Sequence, residues 1–286
     1  MSVQITTAFS QQFSSNVALL SQQRGSILRG AVREESVTGE KAFFDQVGSV
    51  AAVKRTSRHG DTPLVETPHS RRQVTLETYE WADLIDDADK VRMLIDPTST
   101  YAQAAAAAMG RAIDDEIIAA ATGTSKTGKS GSTSTSLPAG QQIAAGGTNL
   151  TIAKLLSAKE VMDSADIDPS IPRHIVCSPS QISALLNTTE VKSSDFNTVR
   201  ALARGELNSY LGFSFHVSNR LAVASSVRTC FAWAQDGMML AVGKDVMSRI
   251  EERADKSYST QVYYCQSIGS TRMEEEKVVQ ILCDES

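Results

Sequence analysis

No apolar stretch in this chain approaches the ~18 residues that a bilayer-crossing helix requires, which excludes a membrane-spanning helix. The stretch from Met1 to Phe13 lacks a basic start followed by an apolar core, so it does not read as a secretory signal. A basic surplus is also missing: 28 Lys and Arg stand against 33 Asp and Glu, a formal net charge of −5. Proteins built to embrace nucleic acid carry the opposite excess. Cysteine is scarce, and Cys177, Cys230, Cys265 and Cys283 are far apart, with no C-x-x-C and no metal-ligand spacing to His. Each sits in apolar, strand-like surroundings, as in Cys230-Phe231-Ala232-Trp233, which predicts buried free thiols in a reducing compartment. The nucleophile and zinc signatures G-x-S-x-G and H-E-x-x-H do not occur, and there is no internal repeat.

What is present is an unusual stretch from 51 to 96. It begins basic, with Lys54, Arg55, Arg58, Arg71 and Arg72, and His59-Gly60-Asp61 at a turn. It becomes acidic, with Glu77, Glu80, Asp83, Asp86, Asp87, Asp89 and Asp96. Between Lys54 and Gln73 the main large apolar side chains are Leu64 and Val65. Such a segment buries too little surface to offset its ordering entropy alone. Pro63, Pro68 and Val74-Thr75 nevertheless favour an extended shape. An extended polar limb beside an acidic patch reads as something completed by docking on another surface. The expected interface residues are Lys54, Arg55, Arg58, Arg71 and Arg72 meeting Asp83, Asp86, Asp87 and Asp89 of a neighbour.

The 286 residues can hold one large domain or two small ones. Residues 1–40 are polar, with a short helix expected over 9–20 through Phe9, Phe13, Val17 and Leu20. Residues 42–53 and 73–82 read as the strands of a long hairpin. Asp96-Pro97 predicts a helix start, with Asp96 the cap and Pro97 the first helical position. The helix should run to Gly123, about 39 Å long at 1.5 Å per residue. Met109, Ile113 and Ile117 form its apolar face, while Arg111, Asp114, Asp115 and Glu116 lie opposite, available to neighbours. The Ser/Thr/Gly tract 123–148 reads as a flexible insertion. Beyond it, helices are expected over 151–164, from Ser178-Pro179 onward, and over 195–207. Strands are expected at 175–177, 213–217, 246–250, 258–267 and 278–283. A β-hairpin is expected from Phe231–Ala234 through Asp236-Gly237 to Met238–Val242. Strands and helices mix without βαβ alternation, which favours an α+β fold.

Gly123-Thr124-Ser125-Lys126-Thr127-Gly128-Lys129-Ser130 matches the phosphate loop G-x-x-x-x-G-K-[ST] literally. That chemistry needs a buried strand before the loop and a helix after it, so that helix N–H groups hold the phosphates. Here a helix precedes it and a Gly/Ser/Thr run follows. A nucleotide-dependent enzyme is therefore the weaker alternative. A calcium loop counted from Asp87 fails, because its sixth position is Arg92 and its twelfth Thr98. No catalytic residue, cofactor or metal is expected. His59 and His69 flank the limb tip and read as exposed; His174 and His216 read as edge residues of strands. Asp114, Asp115 and Glu116 are consecutive on a helix and point different ways, so they form no convergent acid–base pair. Trp81 and Trp233 read as core anchors.

Positions 42–117, from Ala42-Phe43-Phe44 to Asp115-Glu116-Ile117, with weaker support from 210–221 and 269–283, resemble the major capsid proteins of tailed bacteriophages. The likeness is to the Hong Kong 97-type fold, nearest to short-tailed phages. The resemblance implies an N-terminal arm (1–38), an extended loop (39–82) and a peripheral domain (83–122) with a spine helix at 96–122. It further implies an axial domain (123–242, insertion 123–148) and return strands of the peripheral domain (243–286). It implies self-assembly into hexamers and pentamers of an icosahedral shell enclosing double-stranded DNA without sequence-specific binding. Portal and decoration proteins would be partners. Because the chain starts almost at the arm, a separate scaffolding protein is expected. The location would be the virion, after synthesis in the host bacterial cytoplasm. An encapsulin-like compartment is the alternative use of the same fold. Lys54 lies in the loop that carries a cross-linking Lys in some members, but its partner groups have no match here, so no cross-link is expected.

Overall fold

The computed structural model describes residues 22–86, 98–187 and 209–286. The helices expected over 9–20 and 195–207, the Asp96 cap, and Asp87 and Asp89 lie outside the described residues. In chain order the elements are β1 (Arg33–Ser36), β2 (Lys41–Val47), β3 (His69–Thr75), β4 (Glu77–Ile85), α1 (Thr98–Thr122), β5 (Ser125–Thr127), β6 (Thr133–Thr135) and β7 (Gln142–Ile143). There follow α2 (Ile152–Ser164), β8 (Arg173–Cys177), α3 (Pro179–Leu186), β9 (Ser209–Tyr210), β10 (Phe213–Val217), β11 (Val223–Ala224), β12 (Val227–Ala234), β13 (Met238–Arg253), β14 (Ser259–Arg272) and β15 (Val278–Asp284).

The strands form three sheets. The first has the order β1-β13-β14-β4, built on the long β13–β14 hairpin, whose ladder is interrupted by irregularities between Val242 and Lys244 and between Lys244 and Met247. Helix α1 lies against β14. Its residues Ala105, Met109, Ile113, Ile117 and Ala121 recur every fourth position and are all buried. Each large one contributes about 1.5–3 kcal/mol of apolar burial. Ala107 is buried as well, and the Gln266 side-chain amide donates to the Met109 carbonyl at 3.0 Å.

The second sheet runs β7-β15-β12-β8-β10-β9, with β11 on β12. β12 is central and carries the unbroken apolar run Cys230-Phe231-Ala232-Trp233-Ala234, buried throughout, as a strand covered on both faces must be. The indole of Trp233 donates to the Ala31 carbonyl at 2.9 Å and so ties the N-terminal segment to this sheet. Thr151 caps α2, accepting from the Lys154 N–H at 3.3 Å. At the start of α3 the Ser178 N–H donates to the Gln181 amide oxygen at 2.9 Å, with Pro179 at the first turn. One apolar cluster spans Leu28 and Ala31, the inner face of α1, α2, and β8, β12, β14 and β15. The third sheet, β2-β3-β5-β6, stands apart from that core.

Four expectations need correction. β12 and β13 do not pair as a hairpin. Both edges of β12 are taken by β8 and β15, and the 3-10 turn Gln235–Gly237 sends β13 into the other sheet. The tract 123–148 is organised rather than loose: β5 and β6 form a small hairpin that extends the β2–β3 ladder, with Ser125 and Leu137 buried. The turn between them relies on Gly128 and Gly131, both at positive φ. A side chain at 131 would overlap the Gln73 amide. β15, expected to rejoin the peripheral strands, instead pairs with β12 and β7 in the seven-stranded sheet. Trp81 lies half-buried on β4, the outermost strand of its sheet, whereas Trp233 is fully buried as expected. All four cysteines are free and buried.

Candidate intersubunit surfaces

β2 and β3 pair from Lys41↔Thr75 to Val47↔His69, and the ladder closes where the Gly48 N–H donates to the Pro68 carbonyl at 2.8 Å. Beyond that bond the chain continues as a limb without strands, and every residue from 47 to 70 is exposed. Its apolar groups face solvent: Leu64 is 98% exposed, Val47 65% and Val53 60%. Lys54, Arg55 and Arg58 lie on this limb, and the Arg55 Nε donates to the Ser57 carbonyl at 2.8 Å. A segment that buries so little within its own subunit has little internal reason to hold its shape.

Strand alternation separates Arg71 from Arg72. Arg71 is outward: it pairs with Asp45 on β2 through Nε (2.5 Å) and Nη2 (3.1 Å) and lies over the Phe43 ring at 5.6 Å. That hydrogen-bonded charge holds the Asp45 carboxyl below its usual range. Arg72 is inward, buried, and bonded to Glu275 at 2.5 Å. The sequence placed both arginines on a docking surface. Arg71 retains exposure, but Arg72 is spent inside the subunit. Asp83 and Asp86 are exposed on β4 and at its end, on a sheet edge. Asp83 also accepts from the Leu84 N–H at 2.8 Å. Acidic side chains on an unpaired edge oppose indiscriminate strand addition.

The polar face of α1, expected to be free, is occupied from within. Asp114 is fully buried and accepts from Gln23 Nε2 (2.5 Å), Ser26 Oγ (2.5 Å), and the backbone N–H groups of Ile27 and Leu28 (3.1 Å each). One turn earlier, Gly110 leaves room for the Gly25–Ser26 backbone: a Cβ there would lie 2.8 Å from Ser26 N. Arg111 donates to Gln22 Oε1 at 2.9 Å and to the Gln23 carbonyl at 3.2 Å. Asp115 pairs with Arg220, and Glu116 accepts from the Tyr79 hydroxyl at 2.8 Å. The three acids diverge as expected, but each holds a different part of the same subunit. Glu116 is shifted upward, chiefly by burial.

His174 and His216 are not edge residues. They sit on the neighbouring parallel strands β8 and β10, with ring nitrogens 3.1 Å apart, and both lie beside Trp233 at centroid distances of 5.6 and 6.1 Å. Burial, then the charge of His216, pushes the His174 pKa down to about 4; His216 is also lowered by burial. Forty-two residues separate them in sequence, so no local signal marked the pair. The phosphate-loop match, residues 123–130, lies on β5 and the turn that follows it, with α1 before it and the strand β6, not a helix, next. Among the described residues no cluster of His, Cys, Asp or Glu has the geometry of a metal site, and no helix is long and apolar enough to cross a membrane.

A family model described as phage capsid protein matches residues 5–285. No curated protein matches the chain. The fold is similar to the capsid of cyanophage P-SCSP1u, with TM-score 0.76 and 19% identity over 99% of this chain and 95% of that one. It is similar to the capsid of Ralstonia phage GP4, with TM-score 0.73 and 13% identity over 97% and 96%. It is also similar to the capsid of Helicobacter pylori bacteriophage KHP30, with TM-score 0.76 and 10% identity over 99% and 98%. The mixed helix-and-sheet fold is that of phage capsid subunits, consistent with the Hong Kong 97-type arrangement.

Proposed function

This chain belongs to the phage capsid protein family, and on that premise we propose that it is a major capsid subunit forming hexamers and pentamers of an icosahedral shell around double-stranded phage DNA. Its role is structural rather than catalytic. The observation that carries this reading is the limb 47–70, exposed at every residue and bearing Leu64, Val65, Lys54, Arg55 and Arg58. A second copy supplies the surface that the limb lacks. Repetition makes weak contacts sufficient: an exposed ion pair contributes ~0–1 kcal/mol, but a closed symmetric shell repeats it at every subunit. Charge complementarity then sets register more than affinity.

In this reading, residues 1–38 are the arm, 39–82 the extended loop, and 83–122 the peripheral domain with its spine helix. The axial domain starts at 123 and includes β15, which belongs to its sheet. The acidic groups that receive the limb include Asp83 and Asp86. The net charge of −5 suits a wall that must not cling to the genome inside it. A scaffolding protein, a portal and a decoration protein are the expected partners. The subunit is made in the bacterial cytoplasm and ends in the virion.

The test is expression of the full chain, alone and with a scaffolding partner, followed by negative-stain microscopy. Wild type should form shells or capsomer-sized oligomers. The triple variant Lys54→Glu, Arg55→Glu, Arg58→Glu should keep the subunit's unfolding midpoint and lose assembly. Normal shells from the triple variant would remove the limb's basic groups from the interface. A strictly monomeric wild type under both conditions would end the shell reading.

A further inference from the structure

At the root of the limb, where β3 meets β5, lies a hollow of about 660 Å³ lined by Asp45, His69, Arg71, Arg72, Lys129 and Glu275, among others. Its charges do not balance. Glu275 alone serves two guanidinium groups: Arg72 at 2.5 Å and Arg272 at 3.7 Å. Both arginines are buried, Arg272 completely. Arg272 is otherwise held by neutral carbonyls, those of Ala121 and Gly123 at 2.9 Å and Thr135 at 3.2 Å. Arg72 Nε and Nη1, both enclosed, have no hydrogen-bond partner among the described residues. Two buried cations against one carboxylate leave about one uncompensated charge, which protein interiors do not tolerate without a counter-ion. Arg71 cannot supply relief, since it is a third cation and already paired with Asp45. Lys129 stands exposed at the rim and pairs with no acid among the described residues.

We propose that this hollow is an oxyanion site, with Arg72 as its floor and Lys129 as its rim, and that in the assembled protein the occupant is a carboxylate of a second copy. The lysine of the phosphate-loop match thus has an anion-binding use without any nucleotide chemistry, because no helix follows it to hold a triphosphate. The carboxylate assignment follows from the chain's acidic surplus and from the place of the hollow at the root of the projecting limb. The identity of the occupant rests on the shell reading; the existence of the site does not.

The experiment has two arms. In the first, purified unassembled full-length protein is unfolded thermally in inorganic phosphate and in chloride at equal ionic strength. Saturating phosphate should raise the midpoint by roughly 2–4 °C over chloride. That difference should be lost in Lys129→Ala, whose exposed position leaves folding intact, and reduced in Arg72→Lys. No difference between the salts, or an undiminished one in Lys129→Ala, overturns the site. In the second arm, assembled shells are compared in the same two salts. A neighbour's carboxylate already in place predicts no phosphate effect on the shell and slower assembly in phosphate. Shells stabilised by phosphate as much as free subunits are would assign the site to a free anion and overturn the second-copy occupant. Failure of wild type to assemble at all would count against the shell reading, while the first arm still decides the site.

Discussion

Replacing Asp114 should release the N-terminal segment from α1. The carboxylate gathers two side-chain donors and two backbone N–H groups, all from residues 23–28, and no water-exposed surface remains to it. In Asp114→Ala the buried Leu28 N–H and the part-buried Ile27 N–H lose their acceptor. Each such loss costs about 1–3 kcal/mol, and removal of a buried charged hub adds to it, so a total of about 3–5 kcal/mol is expected. Asp114→Asn keeps the shape but turns an amide donor toward other donors, at about 2–3 kcal/mol. Gly110→Ala separates steric seating from charge. Helix propensity alone would favour Ala by about 1 kcal/mol. Overlap with the Gly25–Ser26 backbone should reverse the sign and destabilise by about 1–3 kcal/mol. The assays are urea unfolding with hydrogen exchange over residues 22–32, and tryptophan emission, since Trp233 donates to the Ala31 carbonyl and loses that cover when the segment leaves. Wild-type protection over 22–32 in Asp114→Ala, or a Gly110→Ala variant more stable than wild type, would refute the reasoning.

The His174–His216 pair makes stability depend on acid. His174 is neutral in the fold, with its pKa depressed from 6.5 to about 4, so the unfolded chain binds the extra proton first. Stability is therefore fully present above pH 6.5 and falls as pH drops toward 4. The unscreened shift is worth about 3 kcal/mol, reduced to about 1–2 by partial exposure. The urea midpoint should fall between pH 7 and pH 4.5 more steeply in wild type than in His174→Gln; equal slopes would contradict the assignment. Lys154 donates its ammonium to the carbonyls of Ala145, Thr148 and Leu282 at 2.7–2.9 Å, fastening the 145–148 turn and β15 to α2. Lys154→Met should cost about 2–4 kcal/mol by stranding those acceptors, and a midpoint within error of wild type would show the clamp to be dispensable.

Much of the fold was legible residue by residue. The four-residue spacing of Met109, Ile113 and Ile117, the Ser178-Pro179 cap, and the apolar runs of β8 and β12 are local signals, and each produced its element. The limb was legible too, since a stretch holding only Leu64 and Val65 as large apolar groups has nothing to bury. The burial of Arg72 was not legible. Arg71 and Arg72 are neighbours of like charge, and only the strand's alternation, together with Glu275 some 203 residues away, decides that one faces outward and the other inward. The Ser/Thr/Gly tract looked loose because its composition shows no period, yet its pairing partner is β3.

What the sequence determined by itself is which residues seek burial, where elements start, and that one segment is too polar to be self-sufficient; these depend on side-chain chemistry and spacing alone. What only the tertiary structure decided is partnership. β12 joins β8 and β15 rather than β13. Asp114 serves an N-terminal segment rather than a neighbour. Two histidines meet across parallel strands, and two arginines share one carboxylate. Hydrophobic period specifies a face but not what covers it. Hydrogen bonds and ion pairs act over a few ångströms, between residues that the chain separates by tens to hundreds of positions.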